Sequence, residues 1–236
     1  MKGKLYLIPS PLGEYEPEEV LPAPVLEVAR SLRRFVVEEV RTARRFLSKA
    51  GLRGHIEELE FHTLNEHTTQ QEVESLASLF DNSDVGLISE AGLPAVADPG
   101  AALVALCHRH DIEVVPLVGP SSLMLALMAS GLNGQSFAFR GYLPAKTDER
   151  RSAIKAIERD SRQLHQSQIF IETPYRNDAL LKDLLQFLQP QTRLTVAADI
   201  TLPDQYILTR TVEEWRRKTG TTETIGKRPC VFIILA

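Results

Sequence analysis

Residues 84–107 run from an apolar segment, Asp84-Val85-Gly86-Leu87-Ile88, through the loop Ser89–Gly100 into a second apolar segment, Ala101 to Cys107, with helical spacing. A short continuous apolar run bounded by turn residues fits a strand buried on both faces, and such strands belong to parallel sheets. The loop carries Pro94 and Pro99, Gly92 and Gly100, and the acids Glu90 and Asp98. It leaves the carboxyl end of a strand, which is where open α/β sheets bind ligands. Glycine lets a backbone approach a ligand closely, and proline fixes φ. A connection alone needs only a few residues, so this loop is longer and stiffer than chain continuity requires.

The same alternation recurs along the chain. Leu5–Ile8, Arg34–Val37, Val85–Ile88 and Ile112–Leu117 read as strands. Val73, Leu76, Ala77 and Phe80 form one helical face, and Leu103, Leu106 and Cys107 another. After Gly119-Pro120 come a helix through Leu123, Leu127 and Met128, a short strand at Ser136–Phe139 and a long polar helix from Asp148 to Ser161. Strands at 168–172 and 194–198 flank a Leu-rich helix over 180–188, and Tyr206–Leu208 and Cys230–Leu235 read as late strands. Thr219–Thr224 reads as a polar loop. The expected architecture is α/β in two domains. Residues 1–117 hold a mainly parallel sheet with helices on both faces, and residues 118–236 a mixed α/β domain.

At 236 residues, 43% hydrophobic and 25% charged, the chain has the composition of a globular protein. A net charge of −4 gives no bulk positive field, so any nucleic-acid contact must be local. Cys107 and Cys230 lie far apart in apolar runs and read as small buried hydrophobes. No apolar run reaches the roughly 20 residues of a membrane span. The start, Met1-Lys2-Gly3-Lys4, has no leader pattern, which points to a cytoplasmic protein. There is no phosphate-binding glycine loop, no nucleophile elbow and no pair of Cys or His at zinc spacing. His62, His67, His108 and His110 read as solvated or structural.

Five loops fall at strand ends: Pro9–Gly13, Glu38–Arg41, Ser89–Gly100, Val118–Ser122 and Glu172–Arg176. They are rich in Pro, Gly and hydroxyls and carry Glu38, Glu39, Glu90 and Asp98, a set that suits a ligand with an adenosine-like and a cationic part. Two basic stripes stand at helical spacing, Arg151-Lys155-Arg159-Arg162 and Arg41-Arg45-Lys49. Such stripes can hold phosphates without reading sequence, and Glu158 and Asp160 interrupt the first.

The loops together resemble the tetrapyrrole methylase superfamily, and within it the ribosomal RNA small-subunit methyltransferase I group. Ser10-Pro11-Leu12-Gly13 resembles that group's Thr-Pro-Ile-Gly, and Glu38-Glu39-Val40-Arg41 its Glu-Asp-Thr-Arg. Leu87–Gly100 resembles its Ser-Asp-Ala-Gly-x-Pro…Asp-Pro-Gly loop. Gly119-Pro120-Ser121, Gly141–Lys146 and Phe170–Arg176 resemble its Pro-Gly-x-Ser, Gly-Phe-Leu-Pro-x-Lys and Phe-Tyr-Glu-Ser-Pro-His-Arg. The resemblance implies S-adenosyl-L-methionine in a cleft between two domains, a homodimer, no metal, and methylation of a ribose 2′-hydroxyl of small-subunit ribosomal RNA. Carried onto this chain, it makes Glu39, Glu90 and Arg41 the expected catalytic residues. Pro11, Glu90, Gly92, Pro94, Val96, Asp98, Ser121, Thr173, Ala198 and Pro229 become the expected cofactor contacts. Lys146, Arg151, Lys155 and Arg176 become the expected substrate contacts.

The chain departs from the pattern at Glu14, Glu39, Val40, Glu90 and Val118. It also departs over Ala198–Leu202, where two cations are missing, and at Lys227-Arg228-Pro229. Two alternatives therefore stand beside the RNA reading: a methylase of a small molecule such as a tetrapyrrole, and a non-catalytic cofactor-binding protein.

Overall fold

The computed structural model describes residues 2–218 and 224–236, leaving all of the expected polar loop Thr219–Thr224 except Thr224 outside the described residues. The chain forms two units, Met1–Ser121 and Ser122–Ala236. The first unit extends past the 117/118 break expected from the sequence. Leu117 donates its N–H to Leu7 O at 3.1 Å, and Gly119 sits so close to Pro9 that a Cβ would lie 2.2 Å from its ring.

In the first unit, strands β1 (Leu5–Ile8), β2 (Arg34–Val37), β3 (Glu60–Thr63), β4 (Val85–Ile88) and β5 (Val114–Pro116) form one sheet in the order β3-β2-β4-β1-β5. All four pairings are parallel. Short helix α1 (Pro17–Val20), α2 (Ala23–Ser31) and α3 (Val40–Leu47) follow β1 and β2. Leu26, Phe46 and Leu47 from this side pack with Ile8, Phe35, Val37 and Ile88. Helices α4 (Gln70–Ser75) and α5 (Ala101–Arg109) cover the other face, where Val73, Leu103 and Leu106 meet Leu5, Val36, Val85 and Leu87. The helical face expected over 73–80 is split. A capping box on Thr69 and Glu72 starts α4, and a 3₁₀ turn over Leu76–Phe80 finishes it.

β3 and helices α1 and α2 have no counterpart in the sequence reading, and α3 appears there only as the basic stripe Arg41-Arg45-Lys49. β3, Glu60-Phe61-His62-Thr63, is an edge strand with no buried residue, so it carries no apolar run to detect. His62 there bonds Glu60 at 2.8 Å, an ordinary structural role.

The second unit starts with α6 (Ser122–Ser130) and holds β6 (Phe137–Tyr142), α7 (Thr147–Leu164), β7 (Ser167–Ile171), α8 (Asn177–Phe187), β8 (Arg193–Ala198), β9 (Tyr206–Thr211), α9 (Val212–Lys218) and β10 (Cys230–Leu235). The sheet order is β6-β7-β10-β8-β9; β6 and β7 pair parallel and the other three pairs are antiparallel. β10 is central and apolar throughout because both its faces are covered. Cys230, Phe232 and Ile234 pack on the side of Ile154, Leu180, Leu184 and Trp215. Val231 and Ile233 face Ala126 and Leu127 of α6. A buried ion pair, Arg150 Nε to Asp183 Oδ2 at 2.7 Å, ties α7 to α8. Both cysteines are buried and unpaired, and burial pushes their thiols up, Cys107 to about 11 and Cys230 to about 12. No described helix is long and apolar enough to cross a membrane.

The tightest point of the first sheet is Gly86 on β4. A Cβ there would meet Ile8 Cδ1 and Phe35 Cδ1, each at 2.8 Å. We expect Gly86→Ala to destabilise the fold by about 1–3 kcal/mol through overpacking. The check is the midpoint of urea unfolding, and an unchanged midpoint would show that Ile8 and Phe35 can move aside.

Candidate functional site

Parallel pairing puts the carboxyl ends of β1, β2, β4 and β5 on one edge of the first sheet. The chain moves one way across the sheet from β1 through β2 to β3, and the opposite way from β3 through β4 to β5. The loops that leave β2 and β4 therefore turn to opposite faces, toward α3 and α5, and part between two neighbouring strands. That switch point is where an open α/β sheet offers a crevice.

The loops after β1 and β4 are tied together. Ser10 N donates to Gly92 O at 2.9 Å, and Gly92 N returns to Ser10 O at 3.0 Å. The buried Ser10 hydroxyl donates to Ser89 O at 2.9 Å. Gly92 has φ +74°, and a Cβ there would press on Leu12 at 3.2 Å and Pro120 O at 3.4 Å, so the position favours glycine on two counts. Farther along, Ala95 and Ala97 both hold positive φ, 65° and 60°. Left-handed backbone costs an alanine about 1–2 kcal/mol. Asp98 holds this turn: its Oδ1 accepts from Ala95 N at 2.8 Å and Gly100 N at 2.7 Å.

Between these loops and α3 lies a pocket of about 460 Å³, within the range of small-molecule sites. Leu12, Tyr15, Phe46 and Ile88 give it apolar walls; Ser10, Thr42, Ser89 and Glu90 give it polar ones. Thr42 Oγ1 donates to Glu90 Oε2 at 3.1 Å. Glu14, a departure from the family pattern, lies 3.9 Å from Arg45 on the same wall, and Lys49 bonds Glu16 at 3.0 Å.

The acids at the switch point have different environments. Glu39 is exposed and caps α3, accepting from Arg41 N at 3.0 Å. Glu38 is half-buried. Burial raises its carboxyl above the ordinary glutamate value, and the nearby charges of Asp98, Glu90 and Glu66 raise it further. Burial raises Asp98 as well, against two backbone donors that lower it. Glu38 was visible in the sequence only as one of several acids; its burial is a property of the fold. The Arg41 guanidinium is exposed and forms no ion pair among the described residues.

Of the expected cofactor contacts in the first unit, Pro11 and Glu90 line the pocket. Gly92 ties its rim through Ser10, and Asp98 is a turn-holding carboxylate. Pro94 is buried, Val96 is exposed, and Ser121 closes the unit. In the second unit, Thr173, Ala198 and Pro229 stand at one edge of the sheet, at the ends of β7, β8 and β10. Ala198 is fully buried in the core. That edge still carries a cation: Arg228 Nε bonds Asp199 Oδ2 at 2.5 Å. Thr173 N and Arg176 Nε and Nη2 all donate to Oε1 of buried Glu172, at 2.7, 2.9 and 2.7 Å. Arg176 is thus held in place before any substrate arrives.

Lys146, Arg151, Lys155, Arg159 and Arg162 are all exposed along and just before α7. Lys146 pairs with Glu149 at 3.3 Å, and Arg151 lies over the Phe187 ring at 5.3 Å. The two acids that interrupt this stripe in the sequence do not weaken it equally. Glu158 turns inward, where it accepts from Gln189 N and Thr192 Oγ1. Asp160 is half-buried and bonds Arg140 at 3.2 Å and Arg159 at 3.3 Å.

The raised Glu38 has a consequence for stability. Its folded state binds a proton more readily than its unfolded state, so its ionised form weakens the fold above the folded value. The penalty vanishes below the unfolded value, where both states are protonated. We expect Glu38→Gln to raise Tm at neutral pH by about 1–2 °C after solvent screening. The gain should disappear near about pH 4. A gain of equal size at both pH values would assign it to packing.

The family model described as Tetrapyrrole (Corrin/Porphyrin) Methylases matches residues 15–215. The protein named Ribosomal RNA small subunit methyltransferase I of Escherichia coli O157:H7 is 34% identical over 201 residues, 85% of this chain and 66% of that protein. The protein of the same name from Vibrio cholerae serotype O1 is 31% identical over 225 residues, 92% of this chain and 74% of that one. The chain thus spans about two thirds to three quarters of the length of these relatives. Among solved structures, uroporphyrin-III C-methyl transferase from Thermus thermophilus, complexed with S-adenyl homocysteine, superposes with a TM-score of 0.56. That match is 19% identical and covers 99% of this chain and 97% of that one, which shows a common fold. The chain belongs to the tetrapyrrole (corrin/porphyrin) methylase family.

Proposed function

We propose that this protein is an S-adenosylmethionine-dependent methyltransferase acting on small-subunit ribosomal RNA, with a ribose 2′-hydroxyl as acceptor. The observation that carries this reading is the pocket at the ends of β1 and β4. Its apolar walls, hydroxyls and carboxylate suit a nucleoside with a cationic arm, and relatives at 31–34% identity bear the RNA methyltransferase name. Bound there, the cofactor would supply a sulfonium methyl group. Leu12, Phe46 and Ile88 would hold the flat part of the ligand, and the acids at the switch point would favour its positive charge. In-line placement of the acceptor oxygen supplies much of the acceleration.

A ribose hydroxyl is a weak acid, so a base that takes its proton helps. Glu90 is the proposed base, since it lines the pocket, where its carboxylate accepts from Thr42. Glu39 is proposed to act by fixing the start of α3, and so the placement of Arg41, which would hold a phosphate. Pro11, Gly92, Pro94, Val96, Asp98, Ser121, Thr173, Ala198 and Pro229 remain proposed cofactor contacts, Asp98 through the loop it shapes. Lys146, Arg151, Lys155 and Arg176 remain proposed substrate contacts. The reading carries with it a cytoplasmic location and the homodimer that the family resemblance implies.

Two measurements test this reading. A thermal-shift titration should show stabilisation of about 2.7 kcal/mol at a hundredfold excess of S-adenosylmethionine over Kd. Gly92→Val, which forces a branched side chain onto φ +74°, should abolish the shift. No shift in the wild-type protein at millimolar cofactor would reject the cofactor assignment. In tritium transfer to small ribosomal subunits, Glu90→Gln should lower the rate by about 10²- to 10⁴-fold. Glu39→Gln keeps an oxygen that can cap α3 and should stay close to wild type. Transfer to a tetrapyrrole and not to RNA would move the small-molecule reading to first place.

A further inference from the structure

We propose that Tyr142, Tyr175 and Arg176 form a stacking site for an unpaired nucleobase of the RNA substrate; the inference rests on the RNA reading above. Tyr142 is 58% exposed and Tyr175 is 71% exposed. Isolated exposed aromatics are ordinary, but one of these two lies against a cation and strand register brings the other to the same turn. Arg176 Cζ lies 5.5 Å from the centroid of the Tyr175 ring. The same guanidinium is held by its hydrogen bonds to Glu172. The register accounts for the grouping. Tyr142 at the end of β6 pairs with Ile171 at the end of β7, and the turn Pro174–Arg176 starts three residues later.

The site is set in advance. Glu172 has a fully buried side chain, and its Oε1 accepts both Nε and Nη2 of Arg176. The same oxygen accepts from Thr173 N and Oγ1, which fixes the loop immediately before Tyr175. Pro174 restricts φ at the head of the turn. A guanidinium plane and a ring fixed this way lose little freedom when a flat ligand covers them. Aromatic and guanidinium planes are how proteins hold unstacked RNA bases, since every base offers a π-face. Ribose methylation needs a nucleotide whose sugar can be reached, which a splayed-out base provides. Lys146, four residues beyond Tyr142, stands exposed for a flanking phosphate.

Filter binding to 16S ribosomal RNA and to small ribosomal subunits, with S-adenosylhomocysteine present, tests the proposal. Tyr142→Ala and Tyr175→Ala should each raise Kd by about 5- to 150-fold, and the Phe variants should stay within about twofold of wild type. The slope of log K against log salt should not change, because no charge is removed. Cofactor affinity and sedimentation should stay at wild-type values. If wild type binds RNA and both alanine variants bind it equally well, the stacking site is wrong and the RNA reading stands. If wild type binds neither RNA nor subunits, both fall. If binding is lost together with a change in oligomeric state, the tyrosines belong to a subunit interface and the stacking site is wrong.

Discussion

Parallel strands force every connection to return the chain to the edge from which it started, so each strand must be followed by a crossover lying on one face. The direction of travel across the sheet selects the face, because these crossovers are right-handed. In the first unit this rule sends the connections after β1 and β2 to the face of α2 and α3, and those after β3 and β4 to the face of α4 and α5. The loops after β2 and β4 then diverge, and Glu38 and Glu90 come to stand at the same gap. Neither acid is near the other in sequence. Their meeting follows from strand order, which is why Glu38 is half-buried and Glu39, one residue on, is exposed and caps a helix.

A gap between strands is not yet a binding site, because its walls must hold their shape. Here the walls are made stiff by short-range bonds within the backbone. Ser10 and Gly92 exchange both of their backbone hydrogen bonds, so the first and fourth strand loops move as one. Ala95 and Ala97 sit in a backbone region that alanine disfavours, and the two donors on Asp98 hold them there. Strain of this kind persists only where surroundings over-determine it, and it collects at ligand sites. Asp98 therefore matters through the loop it shapes, although its position in the motif invites a direct role. Glu172 does the same in the second unit, where one carboxylate oxygen fixes Thr173 and Arg176 together.

How much of this was legible in the sequence depends on how each feature leaves its mark. Strands buried on both faces leave apolar runs, so β1, β2, β4, β8 and β10 could be read directly. β3 is an edge strand whose one apolar residue is Phe61, and it left none. Prolines and charges obscure the period of α1 and α2, and α3 shows in the sequence through its basic stripe rather than through the Ala43, Phe46 and Leu47 that it buries. The loops at strand ends were found because Pro and Gly mark them. The division of labour among acids was hidden, since capping and burial depend on neighbours far away in the chain. The stacking pair was hidden for the same reason: Tyr142 and Tyr175 are single exposed aromatics with no period, joined only by the register of β6 and β7.

The charge of −4 averages two different surfaces, and each unit has its own local balance. At the switch point of the first sheet, neighbouring carboxylates stand close enough to raise Glu38, and Thr42 and backbone N–H groups are donors that touch the acids there. Along α7 in the second unit, helical geometry turns Glu158 into the core while leaving Arg151, Lys155, Arg159 and Arg162 in water, beyond the exposed acids Asp148 and Glu149 of the first turn. A sequence count treats Glu158 as a neutralising neighbour; burial removes it from the surface and spends it on Thr192 and Gln189. A cationic cofactor and an anionic polymer ask for opposite fields. The proposed pair of ligands is matched here by a charge distributed between two sheets rather than by a raised total.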